Sequence, residues 1–168
     1  MEDFSSVLGE VLRGKTAFLG IGNTDRGDDG LGVRLAEAIR DAGVENVFIG
    51  GTTPENDVTA VEKYDTVVFL DAVLSRGEPG SVVLMEATEI KALFPQVSTH
   101  KVSLGTLAGI VSAGRGTKVW LLGVRPVSMG IGTDLSETVK ETLSVLSGLI
   151  AAAKGKAQER SERESVWS

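Results

Sequence analysis

Residues 16–43 read TAFLGIGNTDRGDDGLGVRLAEAIRDAG, and this stretch decides the fold class. It opens on a short apolar run, 16–21, which ends at a glycine and is typical of a buried β-strand. From Leu31 onward the apolar residues follow a helical spacing, which predicts an amphipathic helix that stops near Gly43. A buried strand that leads into an amphipathic helix is typical of an α/β domain.

The alternation of strands and helices continues along the chain. Short apolar runs predict further strands at 46–49, 66–70, 81–85 and 118–124. Helical spacing and capping residues predict further helices at 4–12, 52–63, 89–94 and 104–111, and a last one capped by Asp134 with Glu137 in a capping box. The loop before 81–85 is too short for a helical crossover, so this strand is expected to run antiparallel. The predicted fold is a three-layer α/β/α domain with a five-stranded, mostly parallel twisted sheet and one antiparallel strand.

The chain has 168 residues, a length that suits one domain. We expect a single α/β domain over residues 1–153. The sequence that follows, KGKAQERSERESVWS, is charged and has no apolar period. Residues 154–168 are therefore predicted to form a frayed or disordered tail. The absence of cysteine excludes disulfides, thiol nucleophiles, iron–sulfur clusters and cysteine zinc sites.

The charge balance argues against nucleic acid as a partner. The 17 Lys and Arg residues face 23 Asp and Glu residues, for a formal net charge of −6. Binding to nucleic-acid phosphates needs clustered basic residues. An acidic chain is therefore not expected to bind nucleic acid. No apolar run approaches the ~18–20 residues of a membrane span, so membrane insertion is not expected. The acidic start, Met1 to Phe4, lacks the basic region of a signal peptide, and a cytoplasmic location is predicted.

Chemically active side chains fall where loops are predicted to converge. Asp28 and Asp29 follow the first strand, Asp71 ends the third, and His100, the only histidine, precedes the helix at 104–111. In α/β sheets, sites lie beyond the carboxyl ends of the strands. Each residue has an ordinary alternative, since an Asp before a helix is often an N-cap and a His at a helix start is often a surface residue. Together at one end of one sheet, they indicate a site.

The glycine-rich turn does not fit dinucleotide binding well. The fingerprint requires G-x-G-x-x-G, and here Gly20 and Gly22 are followed by Asp25 in place of the third glycine. Carboxylates at that turn would also repel a pyrophosphate. A cation fits better, because imidazole suits nickel, zinc and copper, and three protein ligands leave coordination positions open.

Four motifs resemble the hydrogenase maturation endopeptidases, most closely the hydrogenase 3 maturation type. They occur in the family's order and cover about residues 16–150. The motifs are GIGN at 20–23 with GDDGLG at 27–32, GGTTPEND at 50–57, VVFLDA at 67–72, and Thr99-His100.

The resemblance implies an enzyme that removes a C-terminal extension from the nickel-loaded precursor of a [NiFe] hydrogenase large subunit. It also implies that nickel arrives with this substrate and is not permanently bound. The residues that match the family's catalytic and metal-contacting positions are Asp29, Asp71 and His100, where Asp29 replaces the Glu of some relatives. The expected supporting loop residues are Gly22, Asn23, Asp28, Gly50, Gly51 and Thr52.

The residue chemistry agrees with a metal-binding, aspartyl-type endopeptidase. A water activated by nickel could attack the scissile bond, or a carboxylate could serve as the general base. The alternatives from other classes are a nucleotide- or metabolite-binding module and a nickel-handling accessory protein without peptidase activity. The nickel affinity of the isolated protein separates these hypotheses, because a carrier would bind nickel strongly without the substrate.

Overall fold

The computed structural model describes residues 3–93 and 102–167. Within these ranges the chain alternates between helices and strands, as the sequence predicts. The helices are α1 (Phe4–Val11), α2 (Leu31–Asp41), α3 (Val58–Val61), α4 (Ala87–Leu93), α5 (Leu104–Arg115) and α6 (Glu137–Val166), with 3-10 turns at Gly27–Gly30 and Pro54–Asp57. The strands are β1 (Thr16–Ile21), β2 (Val47–Gly51), β3 (Thr66–Ala72), β4 (Val82–Glu86) and β5 (Lys118–Val124).

The five strands form one sheet in the order β2-β1-β3-β5-β4. All neighbouring pairs are parallel except β4 with β5, which is antiparallel. This confirms the predicted sheet, including its single antiparallel strand. The register places Gly20 of β1 beside Leu70 of β3, and Asp71 beside Gly123 of β5. The ends of β1, β3 and β5 therefore meet at one edge.

Helices cover both faces of the sheet and form two apolar cores. Side chains on one face of β1 and β3, such as Phe18 and Val68, pack with α1, α2 and α6. Side chains on the opposite face, such as Leu19 and Phe69, pack with α3, α4 and α5. Because β1 and β3 are covered on both faces, their sequences are continuous apolar runs. The predicted three-layer architecture is confirmed.

Small residues let α2 approach the sheet closely. A Cβ added to Gly20 would lie 2.7 Å from Cβ of Ala36. A Cβ added to Gly32 would collide with the carbonyl oxygens of Ile21 and Leu70. Glycine at these positions therefore lets the first turn of α2 lie directly against the carboxyl ends of β1 and β3.

Two helix predictions need correction. The helix expected over 52–63 is a 3-10 turn from Pro54 to Asp57 followed by a single α-helical turn. The last helix begins at Glu137 with Ser136 as its N-cap, so the predicted capping box at Asp134 is wrong. The physical reason is tertiary, because both the backbone N–H and the hydroxyl of Ser136 donate to the buried carboxylate of Asp28.

The charged C-terminal segment also differs from its prediction as a frayed or disordered tail, because α6 continues through it to Val166. The segment is rich in good helix formers, and an ion pair of 3.4 Å joins Arg160 to Glu164 one turn later. At its start, Nζ of Lys154 donates to the carbonyl oxygens of Leu12 and Gly14. Although α6 is long, neither it nor any other helix in the described part of the chain is apolar enough over sufficient length to cross a membrane.

Candidate active site

Two carboxylates predicted to be functional lie at the carboxyl edge of the sheet. Asp29 belongs to the 3-10 turn Gly27–Gly30, which connects β1 to α2, and Asp71 is the next-to-last residue of β3. Both residues are only 3% exposed. A carboxylate removed from water to this degree is costly unless it has partners or a function.

Gly22 lies between these two acids. Its N–H donates to the carbonyl oxygen of Gly51 at 2.9 Å, which ties the end of β1 to the end of β2. A Cβ on Gly22 would collide with the backbone carbonyl of Asp29 and would lie 3.6 Å from Oδ1 of Asp71. Its φ of +133° is also strongly unfavourable for any other residue. Glycine is therefore required for the turn of Asp29 and the carboxylate of Asp71 to come together.

Backbone donors orient both carboxylates. Oδ2 of Asp29 accepts a hydrogen bond of 3.1 Å from the N–H of Asn23. The Asn23 side chain is itself fixed, because its Oδ1 accepts from the N–H of Asp25 at 2.9 Å. Oδ1 of Asp71 accepts from the N–H of Ala72 at 2.8 Å. The turn after β1 thus orients Asp29, and the end of β3 orients Asp71.

Asp28 points in a different direction from its neighbour Asp29 and is fully buried. Its Oδ2 accepts from the N–H groups of Val127 and Ser128 at 2.9 and 3.1 Å and from Oγ of Ser136 at 2.9 Å. Its Oδ1 accepts from the N–H of Ser136 at 2.7 Å. Burial acts to raise the pKa of Asp28, but the hydrogen bonds from Ser136, Ser128 and Val127 together outweigh it and hold the pKa below its usual value.

The ordinary alternative for Asp28 and Asp29, an N-cap, is not what the structure contains. The residue before α2 is Gly30, and no side chain caps this helix. Asp28 instead joins the first loop of the site to the segment after β5, residues 126–136, which we call the rim loop. Sequence reasoning missed the rim loop and Ser136, since neither carries a residue type that indicates this contact.

The Gly50-Gly51-Thr52 turn lies beside Gly22. Gly51 has a left-handed φ of +58°, and its carbonyl accepts the Gly22 hydrogen bond. A Cβ on Gly50 would lie 3.0 Å from both Leu19 Cδ1 and Pro54 Cα, so this glycine serves close packing. Thr52 is exposed. The turn therefore forms part of the same edge as Asp29 and Asp71.

His100 lies outside the residues that the structure describes. Among the residues in 3–93 and 102–167, no three His, Cys, Asp or Glu side chains are grouped so that they could hold a metal ion. The predicted set includes His100, so a three-ligand site stays a prediction. Asp29 and Asp71 provide two oxygen donors of the hard type that favours divalent cations.

The fold and the paired acids define a three-layer α/β protein with a carboxylate site at the carboxyl edge of its sheet. The HycI family model, described as hydrogenase maturation protease, matches residues 31–153. The chain belongs to the hydrogenase maturation protease family. The resemblance noted from the sequence motifs and the expectation of an enzyme are thus confirmed.

Solved and curated relatives agree with this assignment. The structure resembles the crystal structure of the [NiFe] hydrogenase maturation protease HycI from Thermococcus kodakarensis KOD1, with a TM-score of 0.78 and 33% identity over 88% of this chain and 97% of that one. The hydrogenase 2 maturation protease of Escherichia coli K12 is 29% identical over 88% of this chain and 96% of its own length. The hydrogenase 3 maturation protease of the same strain is also 29% identical, over 75% of this chain and 82% of its own length.

Proposed function

We propose that this protein is a cytoplasmic endopeptidase that removes a C-terminal extension from the nickel-loaded precursor of a [NiFe] hydrogenase large subunit. Membership of the hydrogenase maturation protease family supports the reaction class. The observation that carries the proposal is the pair of buried acids, Asp29 and Asp71, on either side of Gly22. Oδ2 of Asp29 accepts from the N–H of Asn23, and Oδ1 of Asp71 lies 3.6 Å from a Cβ built on Gly22, so both carboxylates border the Gly22-Asn23 backbone and would attract a cation there.

Nickel enters this proposal as part of the substrate. In the precursor it would be held by cysteine thiolates and would accept further donors to complete its coordination. Asp29 and Asp71 would supply oxygen donors, and His100 would supply a nitrogen donor, a set that suits nickel. Binding of the metal in this way fixes the peptide bond that follows it against the edge of the sheet. Proximity of this kind converts a weak encounter into a productive complex.

Hydrolysis then requires a water molecule at the scissile carbonyl. One carboxylate of the pair takes a proton from this water while the water oxygen attacks the carbonyl carbon. The C–N bond breaks, and the proton passes to the departing amine. In the second route, Asp29 and Asp71 would serve only as ligands, and nickel would supply the activation of the attacking water. The routes differ in whether a carboxylate carries a proton.

Substrate backbone would approach along the Gly50-Gly51-Thr52 turn. Among the described residues, and apart from its chain neighbours, the only heavy atom within 4 Å of a Cβ built on Gly51 is the carbonyl oxygen of Gly22, at 3.9 Å, so space is open at this point. Glycine there permits close passage of an extended chain. The turn therefore fits the role of a guide that leads the C-terminal extension past the two acids.

The test is incubation with a nickel-loaded large-subunit precursor, followed by intact mass measurement of the product. We expect loss of one C-terminal peptide with the wild-type protein. Asp29→Asn, Asp71→Asn and His100→Ala should each lower the cleavage rate by about 10²-fold or more, as expected for groups that act on the reacting bond. Asp41→Asn is the matched control, because Asp41 is an exposed acid at the far end of α2. Full activity of His100→Ala would refute the ligand set, since the chain contains no second histidine.

A further inference from the structure

The rim loop is fastened to the acid-bearing turn by more than the carboxylate of Asp28. The N–H of Asp28 donates to the carbonyl oxygen of Ser128 at 2.9 Å, and the N–H of Gly27 donates to that of Gly132 at 2.7 Å. In return, the N–H of Gly132 donates to the carbonyl oxygen of Asp25 at 2.9 Å. A surface loop held at several points along its length is not free to rearrange without breaking these bonds.

The loop nevertheless presents apolar side chains to water. Ile131 is 97% exposed and Val127 is 52% exposed. Leu74, which follows the strand of Asp71, is 62% exposed at the same edge. The N–H of Val73 donates to the carbonyl oxygen of Val124, so the segments after β3 and β5 run side by side. Exposed apolar side chains on segments that border a candidate site are suited to contact with another protein.

We propose that the rim loop is a docking surface for the large-subunit precursor, that Ile131 is its main contact residue, and that Asp28 is the positioning residue that fixes the loop relative to Asp29. This inference rests on the proposed function, because it names the same precursor as the occupant. It adds a recognition surface that is separate from the metal and the scissile bond.

The adjacency of Asp28 and Asp29 in the chain is the reason to assign the precursor as the partner that binds the rim loop. Asp28 and Asp29 are consecutive, so the group that fixes the rim loop and the group that faces the substrate metal belong to one rigid turn. A protein that covers Ile131 therefore lies at a fixed distance from the Asp29 carboxylate. A substrate that also reaches Asp29 gains from such coupling, because binding at the rim loop then helps to orient its reacting group.

The experiment measures both binding and cleavage of the nickel-loaded precursor by the full-length protein. For Ile131→Ser we expect the Kd and KM to rise about tenfold, since an apolar contact at the centre of an interface contributes roughly that much. The kcat should stay within about twofold of wild type. Val145→Ser is the matched control, because Val145 is 63% exposed on α6 and lies outside the rim loop. The control should bind and cleave as wild type does.

Asp28→Asn tests the positioning role. The amide keeps the size of the side chain but replaces one acceptor oxygen with a donor that faces N–H groups. We expect Asp28→Asn to raise the Kd and to lower kcat, each by about tenfold or more, whereas Ile131→Ser should affect binding alone. Ser136→Ala should have a smaller effect of the same kind, and Ser136→Thr, which keeps the hydroxyl, should restore it. Far-UV circular dichroism confirms that each variant folds.

The outcomes separate this inference from the proposed function. Unchanged Kd for Ile131→Ser overturns the docking surface even if wild type cleaves the precursor. Binding that depends on Ile131 without any cleavage supports the surface and refutes the proposed function. No binding of the precursor by wild type refutes both. A change in oligomeric state of Ile131→Ser in gel filtration would show a contact between copies of this chain and would also overturn the inference.

Discussion

Asp28 and Asp29 are neighbours in the chain, yet their carboxylates accept hydrogen bonds from different segments. Asp28 accepts hydrogen bonds from the rim loop, including 2.7 Å from the N–H of Ser136. Asp29 accepts from Asn23 within its own turn. One acid therefore determines where the turn lies, and the other presents an oriented carboxylate to the site. Because the two carboxylates have different partners, we expect different effects when each residue is substituted.

The first prediction concerns stability and its dependence on pH. Asp28→Asn should lower the free energy of unfolding by about 2 kcal/mol at pH 7, because hydrogen bonds to a buried charged group are lost. The folded pKa of Asp28 lies below its usual value of 3.8. Its contribution is therefore present above that value and is lost as pH falls through the folded pKa.

Urea unfolding at pH 7 and at successively lower pH measures this effect. The difference between wild type and Asp28→Asn should be largest near neutral pH and should shrink as pH falls below 3.8. Asp41→Asn serves as the control, since Asp41 is exposed. A difference that stays constant down to acidic pH would show that the charge of Asp28 does not contribute.

The second prediction separates the conformational cost of replacing a glycine at positive φ from the steric cost of the added Cβ. In Gly22→Ala, the new Cβ would collide with the Asp29 carbonyl, and the φ of +133° is unfavourable as well. Gly43 has a φ of +93°, but a Cβ there would meet no atom within 4 Å in the described part of the chain beyond its two neighbours. Gly43→Ala should thus cost about 1–2 kcal/mol from conformation alone. Gly22→Ala should cost about 1–3 kcal/mol more from the forced displacement.

The activity of these two variants should differ more than their stability does. Gly22→Ala displaces the turn that carries Asp29, so we expect cleavage to fall by about 10²-fold, the loss typical of a misplaced reacting group. Gly43→Ala, at the other end of α2, should cleave at the wild-type rate. Equal activities of the two folded variants would contradict the role assigned to Gly22.

Much of the fold is predictable because the apolar pattern is local. The strands β1 and β5 begin and end at the predicted residues, since both are continuous apolar runs bounded by glycine or charge. The position of Asp29 and Asp71 at one edge also follows from sequence, because the carboxyl ends of parallel strands meet there. What the sequence predicts of the candidate site is therefore the shared edge on which Asp29 and Asp71 lie.

The parts that could not be predicted depend on contacts between distant residues. Helix α6 begins at Glu137 because its N-cap, Ser136, is held by Asp28, which lies 108 residues earlier. No local pattern reports such a partner, so the sequence alone favours Asp134 as the cap. In the same way, the charged segment after 153 lacks an apolar period, but Lys154 reaches the carbonyl oxygens of Leu12 and Gly14. Local helix propensity then extends α6 beyond the residues that pack on the core.

The third prediction addresses this C-terminal part of α6. Residues 158–167 are exposed, so a chain that ends at Gln158 should lose less than about 1 kcal/mol of stability. A chain that ends at Ala153 also loses the Lys154 hydrogen bonds and should be less stable by about a further 1 kcal/mol. Urea unfolding measures both differences.

Circular dichroism of the same two truncated chains tests the helix itself. If residues 159–166 are helical in solution, their removal should lower the total helical signal in proportion to their number. An unchanged total signal would instead support the frayed or disordered tail predicted from the composition. The chain that ends at Ala153 should show a further loss of helical signal, which provides the reference for the signal per residue.

The last prediction concerns what triggers cleavage. Asp29 and Asp71 are both buried beside Gly22, and a divalent cation brought to this edge is attracted by both carboxylates. A nickel-free precursor offers only a peptide to this acidic edge, whereas a nickel-loaded one brings the positive charge that the two acids attract. We therefore expect the enzyme to cut the loaded precursor and to leave the nickel-free precursor intact. The measurement is a paired digestion of the same precursor with and without nickel, scored by release of the C-terminal peptide. The control for charge alone is the same precursor with zinc bound at its cysteines. We expect this precursor to bind to the enzyme but to be cleaved more slowly, since coordination geometry differs between the two metals. Equal cleavage with and without nickel would mean that the two acids act as a metal-free pair that shares a proton, as in aspartic proteases.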